Sequence, residues 1–223
     1  QRTDRLTILG EITAGIAHEL NTPLGNILGF AELIKLQAAE GQIADDITKI
    51  INAAIHSREI VKKLMFFACE MPQHMELIEI APAIDDALSL LGPNFSKKQL
   101  TCNFRSYGNP IMAQLDRVQL TQVLFNILLN AIHASPKQGS IDIKLHAEAD
   151  HAYIDVADEG EGVNASISAK IFEPFFTTKP IGEGTGLGLS VVHGIVKAHK
   201  GEITVFNNAS GGATFRIKLP LIQ

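Results

Sequence analysis

Residues 1–69 repeat apolar side chains at alternating intervals of three and four, and this spacing leaves few folds open. It is the a/d seam of a heptad repeat, typical of helices that pack side by side. Two seams flank the segment 37–42, in which Gly41 interrupts the periodicity. They comprise Leu6, Leu9, Thr13, Ile16, Leu20, Pro23, Ile27, Phe30 and Ile34, then Ile47, Ile50, Ala54, Ser57, Val61, Leu64 and Ala68. We therefore predict a hairpin of two helices.

The apolar face of this hairpin is wider than a two-stranded coil needs, because further apolar residues such as Ala17 and Leu24 flank the seams. A single hairpin could not bury it, whereas two copies could form a four-helix bundle. We predict a homodimer through residues 1–69.

Residues 70–76 break the periodicity and read as a linker, and residues 77–223 mix the two kinds of pattern. Alternation predicts strands and 3.6-residue spacing predicts helices. The predicted strands are 77–80, 100–106, 110–114, 140–148, 152–157, 202–207 and 213–219, and the predicted helices are 81–91, 116–135 and 187–199, the last ending at Gly201. We expect an α+β domain with a mixed sheet and helices on one face.

Composition excludes several classes of protein. The chain of 223 residues is 46% hydrophobic and 19% charged, which supports a buried core. Its net charge of −5 and lack of a dense Lys/Arg run argue against a nucleic-acid partner. We expect no membrane segment, since no apolar run approaches the roughly 18 residues required. Cys69 and Cys102 lack metal-type spacing and suggest a reduced, cytoplasmic compartment. Because the chain begins at Gln1, we expect a fragment of a longer protein.

Within residues 172–190, a stretch of three phenylalanines, two threonines and a lysine (172–179) precedes alternating glycines at 182, 184, 186 and 188. An apolar run follows the glycines. Alternate glycines let backbone N–H groups approach a ligand, and a helix that begins there directs its free N–H groups to the same place. This pattern predicts a phosphate-binding lid. It fits neither GxGxxG nor the Walker-type loop GxxxxGK[ST].

Three further groups of residues can carry chemistry. His18 lies at the outward f position, with Glu19 beside it and Thr22 one turn on; this suits a nucleophilic imidazole, or an ordinary surface His–Glu pair. Asn126 and Asn130 share a face of an apolar helix; they could serve a phosphate-bound Mg²⁺, or be core amides bonded to backbone.

The third group is the strand end at Asp158, followed by Gly160 and Gly162. A carboxylate beside glycines can accept a hydrogen bond from an exocyclic amine while the backbone lies against a flat ring. Gly160, Gly162 and Ala165 also match the GxGxxA form of the dinucleotide fingerprint, although no βαβ pattern surrounds them.

Taken together, these motifs resemble the transmitter core of a sensor histidine kinase over nearly all of the chain. In the family's order they are HELNTPL (18–24, H box), QVLFNILLNAIHA (122–134, N box), DEGEG (158–162, G1 box), FEPFFTTK (172–179, F box) and GEGTGLGLS (182–190, G2 box). The resemblance implies a dimerisation and histidine-phosphotransfer hairpin, and a catalytic domain with the Bergerat (GHKL) ATP-binding fold, an α+β sandwich. It implies ATP and Mg²⁺ as cofactors.

The resemblance also implies residue roles. His18 would be the phosphoacceptor, Glu19 its general base, and Thr22 the position that orients water in a phosphatase reaction. Asn130 would bind Mg²⁺ with support from Asn126, and Asp158 would bind adenine. The other nucleotide-binding positions would be Gly160, Gly162, Gly182, Gly184, Thr185, Gly186, Leu187 and Gly188.

One position departs from the family pattern, because His133 stands where many relatives carry a phosphate-binding lysine. Either His133 or Lys179 would then meet phosphate. Phe172, Phe175 and Phe176 would be lid aromatics that dock on the helical domain, or plain core residues.

The resemblance implies ATP-dependent phosphorylation of His18, followed by transfer to an aspartate of a response-regulator receiver domain. The upstream sensor domain would be missing from this chain. The alternative is a GHKL-type ATPase clamp that hydrolyses ATP without a phosphohistidine. A nucleotide-binding scaffold without turnover is a third possibility, against which the intact Asn130, Asp158 and glycines argue.

Overall fold

The computed structural model describes residues 20, 23–35, 41–68, 74–179, 186–209 and 211–221. The chain divides into two compact units, Gln1–Pro72 and Gln73–Gln223. Among the helices of the described residues, none is both long enough and apolar enough to cross a membrane.

The described residues of the first unit form two helices, as the heptad pattern predicts. Residues 23–35 form α1, and Gln42–Ala68 form α2. Ala31, Ile47 and Ala54 are buried within the unit. Large apolar side chains that stay exposed on these helices are Ile27, Phe30, Leu33, Ile34, Ile43, Ile50 and Ile55. The wide apolar face is therefore real, and the bundle of two copies stays a prediction.

In the described part of the second unit, the strands form a mixed five-stranded sheet and a small two-stranded sheet, which confirms the predicted α+β class. The seven strands are β1 Glu76–Glu79, β2 Thr101–Ser106, β3 Met112–Leu115, β4 Ser140–Glu148, β5 His151–Ala157, β6 Glu202–Asn207 and β7 Ala213–Pro220. β1 pairs with β3, and the large sheet has the order β2-β4-β5-β7-β6. β2 and β4 are parallel and the other neighbours antiparallel.

The helices α3 (Ile80–Lys98), α4 (Arg117–Ala134) and α5 (Gly188–Ala198) cover one face of the large sheet. Alternate strand residues such as Ile143, Ile154 and Ile217 point into the core beneath them and are at most 1% exposed. Each side chain of this size contributes roughly 1.5–3 kcal/mol on burial. The opposite face carries polar residues, including Lys144 and Arg216, so this face meets solvent.

Helix α3 is longer than predicted, because it ends at Lys98 and not at Leu91. Pro93 lies within the helix and is exposed. Because proline has no N–H, the carbonyl four residues earlier loses its usual helical hydrogen bond, on the side of the helix that faces solvent. Phe95 continues the buried stripe of the helix and is 9% exposed. Burial of Phe95 in the core thus allows the helix to continue past Pro93, although proline usually ends a helix.

The end of α5 also differs from the prediction. Lys200, and not Gly201, adopts the left-handed conformation, with φ of 58°. The N–H of Gly201 donates to the carbonyl of Val196 at 2.8 Å and that of Lys200 to Lys197 at 2.9 Å, which is a Schellman motif. Gly201 is needed for another reason: a Cβ atom there would lie 2.5 Å from the carbonyl oxygen of Lys218 in β7.

Candidate nucleotide site around helix α4

Helix α4 is the element on which the described site residues converge. Its first turn is capped by Asp116, whose Oδ1 accepts the N–H of Gln119 at 3.0 Å and whose Oδ2 accepts that of His74 at 2.9 Å. Leu124, Ile127 and Leu128 are fully buried and anchor the helix in the core. The cap and the apolar stripe together explain why a helix begins here.

Both ends of α4 are held by other elements. The buried His199 accepts the backbone N–H of Asp116 through Nε2 at 3.0 Å, and its Nδ1 donates to the carbonyl of Ile195 at 2.8 Å. At the other end, Nζ of Lys98 donates to the carbonyls of Ile132 at 2.7 Å and His133 at 3.0 Å. A cation at a helix C-terminus also offsets the helix dipole.

The environment of Asp116 shifts its pKa. Burial alone would raise that pKa, but the N–H donors of Gln119, His74 and Val118 hold the pKa below its ordinary value. The charged form is therefore the one that the fold stabilises.

The two asparagines of α4 differ in their surroundings. Asn126 is 8% exposed and its Nδ2 donates to the carbonyl of Gln122 at 3.1 Å, as a core amide does. A Cβ atom on Gly188 would lie 3.4 Å from its Oδ1, so the start of α5 lies beside it. Asn130 is half-buried, and its side chain makes no hydrogen bond to the residues that the structure describes. That amide has the capacity to bind a ligand.

Asp158 follows β5 directly and is 3% exposed. Its Oδ1 accepts the N–H groups of Gly160 at 2.9 Å and Ala213 at 3.1 Å. Within the described part of the chain both bonds go to this one oxygen, which leaves Oδ2 as the acceptor for a ligand. A Cβ atom on Gly160 would lie 2.9 Å from Cβ of Ala134, so the loop approaches the end of α4 closely.

The dinucleotide interpretation of this loop is wrong. Residues 165–169 form turns, and a short 3₁₀-helix, Lys170–Phe172, follows. No crossover helix therefore begins at Gly160, as the βαβ unit of that fingerprint requires.

The two candidate phosphate contacts lie against each other. Nζ of Lys179 is 2.9 Å from Nδ1 of His133, and because an ammonium has no acceptor, the imidazole nitrogen accepts. Lys179 and His133 thus belong to one cluster at the end of α4.

The phenylalanines of the segment 172–176 divide into two kinds. Phe172 and Phe176 are half-buried against the core, and the ring of Phe172 lies 5.8 Å from that of His193. Phe175 is 61% exposed and has a left-handed backbone, with φ of 66°. Gly186 has φ of 65°, and a Cβ atom there would collide with the backbone of Phe175. Core packing therefore accounts for two of the three aromatics.

Leu187 and Gly188 lead into α5, where Leu187 is 8% exposed. Six predicted site residues lie outside the residues that the structure describes: His18, Glu19, Thr22, Gly182, Gly184 and Thr185.

Sequence reasoning missed the residues that support the site, namely Lys98, His199, Asn207 and Asn208. Lys98 is 34 positions from its nearest partner and Asn208 is 50 positions from Asp158, so no local periodicity marks them. The Asn-Asn pair at the end of β6 and the Gly-Gly pair just before β7 are visible in the sequence and do indicate a turn.

Comparison with known proteins agrees with this arrangement. Residues 115–223 match the family model of the histidine kinase-, DNA gyrase B- and HSP90-like ATPases, and residues 8–70 match the His Kinase A (phospho-acceptor) domain. The second match favours a histidine kinase over an ATPase clamp. It assigns residues 8–70 to a phospho-acceptor domain, and a clamp that hydrolyses ATP with water needs no such domain.

Similar sequences are sensor kinases. The sensor histidine kinase ZraS of Escherichia coli (strain K12) is 34% identical over 99% of this chain and 47% of its own length. Sporulation kinase E of Bacillus subtilis (strain 168) is 34% identical over 100% of this chain and 30% of its own length. The chain thus spans about half the length, or less, of these curated relatives.

Solved structures show the same fold. Full-length ShkA in complex with AMPPNP has a TM-score of 0.81 at 25% identity, over 94% of this chain and 45% of that one. Histidine kinase ThkA in complex with the response regulator TrrA has a TM-score of 0.69 at 28% identity, over 100% of this chain and 64% of that one. The Bergerat-type fold expected for the second unit is confirmed, and the chain belongs to the histidine kinases, as a phospho-acceptor segment followed by an ATPase domain.

Proposed function

We propose that the chain is an ATP-dependent protein histidine kinase that phosphorylates His18 and passes the phosphoryl group to an aspartate of a response regulator. The observation that carries this is the convergence on α4 of the Asn130 amide, the Asp158 loop and the start of α5. Phosphoryl transfer requires mainly positioning and charge neutralisation, and this arrangement offers both.

Different groups of the described residues would bind the adenine and the phosphates of the nucleotide. Oδ2 of Asp158 would accept a hydrogen bond from the exocyclic amine of adenine, while Gly160 and Gly162 would let the backbone approach the adenine ring. The phosphates would lie toward Gly186, Leu187 and Gly188, where α5 begins, and toward the cluster of Lys179 and His133. ShkA, which shares this fold, was solved in complex with AMPPNP, and this supports nucleotide binding by the chain.

Asn130 fits a magnesium ligand, because its amide has no hydrogen-bond partner among the described residues and Mg²⁺ prefers oxygen donors. When bound, Mg²⁺ would neutralise phosphate charge. Asn126, already bonded to the backbone, would keep α4 and α5 at a fixed separation beside it.

In the transfer itself, an imidazole nitrogen of His18 would form the N–P bond as the bond from the γ-phosphorus to ADP breaks, and Glu19 would take the ring proton. Thr22 would orient water in the reverse, phosphatase reaction. ThkA was solved with its response regulator, which supports a receiver domain as partner. Phe175, the exposed aromatic, is the candidate for docking on the helical domain.

We further propose limits of 1–69 for the phosphotransfer hairpin, 70–76 for the linker and 77–223 for the catalytic domain. The exposed apolar side chains of α1 and α2 support a homodimer through the hairpin. The remaining length of the relatives supports a sensor domain outside this chain. The use of ATP would place this segment in the cytoplasm.

The test is incubation with ATP labelled on the γ-phosphate. Wild type should acquire acid-labile, base-stable label, and His18→Gln should not. His56→Gln removes a histidine from α2 of the same unit and should label like wild type. Label that survives His18→Gln would exclude this phosphoacceptor. Free phosphate without labelled protein would instead support the ATPase clamp.

A further inference from the structure

The turn between β6 and β7 fastens the loop 158–163 at its far end through Asn207. Oδ1 of Asn207 accepts the N–H of Val163 at 2.7 Å, and its Nδ2 donates to the carbonyl of Val163 at 3.1 Å. One side-chain amide therefore pairs with both backbone groups of a residue, as a neighbouring strand would. The far end of the loop cannot shift without breaking two hydrogen bonds.

Asn208 fastens the near end of the same loop. Its Nδ2 donates to the carbonyl of Asp158 at 2.8 Å and reaches the carbonyl of Ala213 at 3.4 Å. The N–H of Asp158 donates to the carbonyl of Ala213 at 2.9 Å, so the backbone of Asp158 is bonded on both sides of its Cα atom. The direction of the Asp158 side chain is thereby fixed.

Glycines make this close approach possible. Gly162 has φ of 75°, and a Cβ atom there would lie 2.8 Å from Oδ1 of Asn207. A Cβ atom on Gly212 would collide with the carbonyl of Asp158. The turn and the loop thus lack the side chains that would separate them.

We propose that Asn207 and Asn208 are positioning residues for recognition of the base. They act through Asp158: with the loop held at both ends and Oδ1 occupied by two N–H donors, Oδ2 keeps one direction, the direction of the adenine amine. This inference rests on the proposed nucleotide site. It adds that selectivity for adenine depends on the β6–β7 turn, which lies outside the family motifs named above.

The experiment compares two nucleotides on the full chain. Two ligands are titrated by calorimetry: a non-hydrolysable ATP analogue, and the same non-hydrolysable triphosphate built on purine riboside. The second ligand differs from the first only in lacking the 6-amino group. Wild type should prefer the adenine compound by roughly tenfold or more, the value of one hydrogen bond to a charged group. Asn208→Ala should lose most of this preference, through weaker binding of the adenine compound and little change for the purine compound.

Asn207→Ala makes the same test at the other end of the loop, so the outcome does not depend on one variant folding. The matched control is Asn103→Ala, which removes an amide that donates to Asp142 at 2.9 Å between β2 and β4. It should keep the wild-type preference, and melting curves confirm that each variant is folded.

The outcomes separate the two claims. A wild type that binds both compounds equally overturns the proposed adenine site and this inference with it. A wild type that prefers adenine, together with variants at 207 and 208 that retain the preference or weaken both compounds equally, overturns the inference and leaves the site in place.

Discussion

Nε2 of His199, the C-cap residue of α5, accepts the backbone N–H of Asp116, the N-cap residue of α4, at 3.0 Å. The two residues are 83 positions apart, and both are buried. This bond satisfies an N–H that lies outside the helical ladder, and the side chain of Asp116 caps the same turn.

Replacing this imidazole should destabilise the second unit. His199→Leu leaves the N–H of Asp116 buried without its acceptor, so we expect the free energy of unfolding in urea to fall by roughly 1–3 kcal/mol. His151→Leu is the control, because His151 lies at the start of β5 and is half-exposed. Equal stability of the two variants would contradict the role given to His199.

Acid should weaken the cap of α4. The pKa of Asp116 is lower in the folded chain than its ordinary value, so its stabilisation is complete above the unfolded pKa and is lost as pH falls through the folded one. Asp116→Ala should lower the unfolding free energy at neutral pH by about 1 kcal/mol. Asp116→Asn, which can still cap, should flatten the loss of stability below about pH 5. Unfolding curves across this range provide the measurement, and an unchanged acid profile in Asp116→Asn would argue against the shift.

Gly186 should not tolerate a side chain. Its φ of 65° and the nearby backbone of Phe175 both oppose a Cβ atom, so Gly186→Ala should weaken binding of an ATP analogue by roughly tenfold or more, measured by calorimetry. A Cβ atom on Gly194 in α5, by contrast, would meet nothing within 4 Å among the residues that the structure describes. Gly194→Ala should therefore bind normally and gain roughly 0.5–1 kcal/mol of stability. Similar affinities for the two variants would refute the prediction.

A bidentate ion pair between Arg216 and Asp155 lies on the polar face of the sheet. Arg216 donates from Nε and Nη2 to the two oxygens of Asp155, each at 2.7 Å, and Asp155 is 7% exposed. Arg216→Met leaves that carboxylate unpaired, so we expect a loss of about 1–3 kcal/mol in unfolding free energy. Nucleotide affinity should not change, because the pair faces away from the helices.

Arg117→Met is the matched control for this prediction. Its pair with Asp86 at 2.8 Å joins side chains that are 51% and 47% exposed, and such pairs contribute about 0–1 kcal/mol. If both variants lost the same stability, burial would not be the deciding factor.

Local patterns predict an element well when it has one buried and one exposed face, because apolar and polar residues then recur with the period of that element. Strands β4 and β6 begin and end where alternation places them, because each has a buried and an exposed face. The predicted α3 stops too early because Gly92 and Pro93 are typical breakers, whereas burial of Phe95 outweighs them. Its true end depends on packing against residues distant in sequence.

The candidate site divides in the same way. Asn130 and Asp158 can be found from the sequence because they stand out locally, as an amide on an apolar helix and an acid at a strand end. Asn208 and Lys98 cannot be found in this way, because each donates a hydrogen bond to a backbone carbonyl of a distant element. Every residue has a backbone carbonyl, so the sequence does not show which one is the partner. The chemistry is therefore more visible in the sequence than the contacts that position it.

The contacts of Lys98 and His199 at opposite ends of α4 have a consequence for hydrogen exchange. Isolated helices fray from their termini, but here the first turn is tied to α5 and the last to α3. The amides of α4 should then open to solvent only when these neighbouring helices also detach, so their protection should approach the global stability of the unit. Asn130 would keep its place on a helix that does not loosen on its own, whatever the neighbouring loops do.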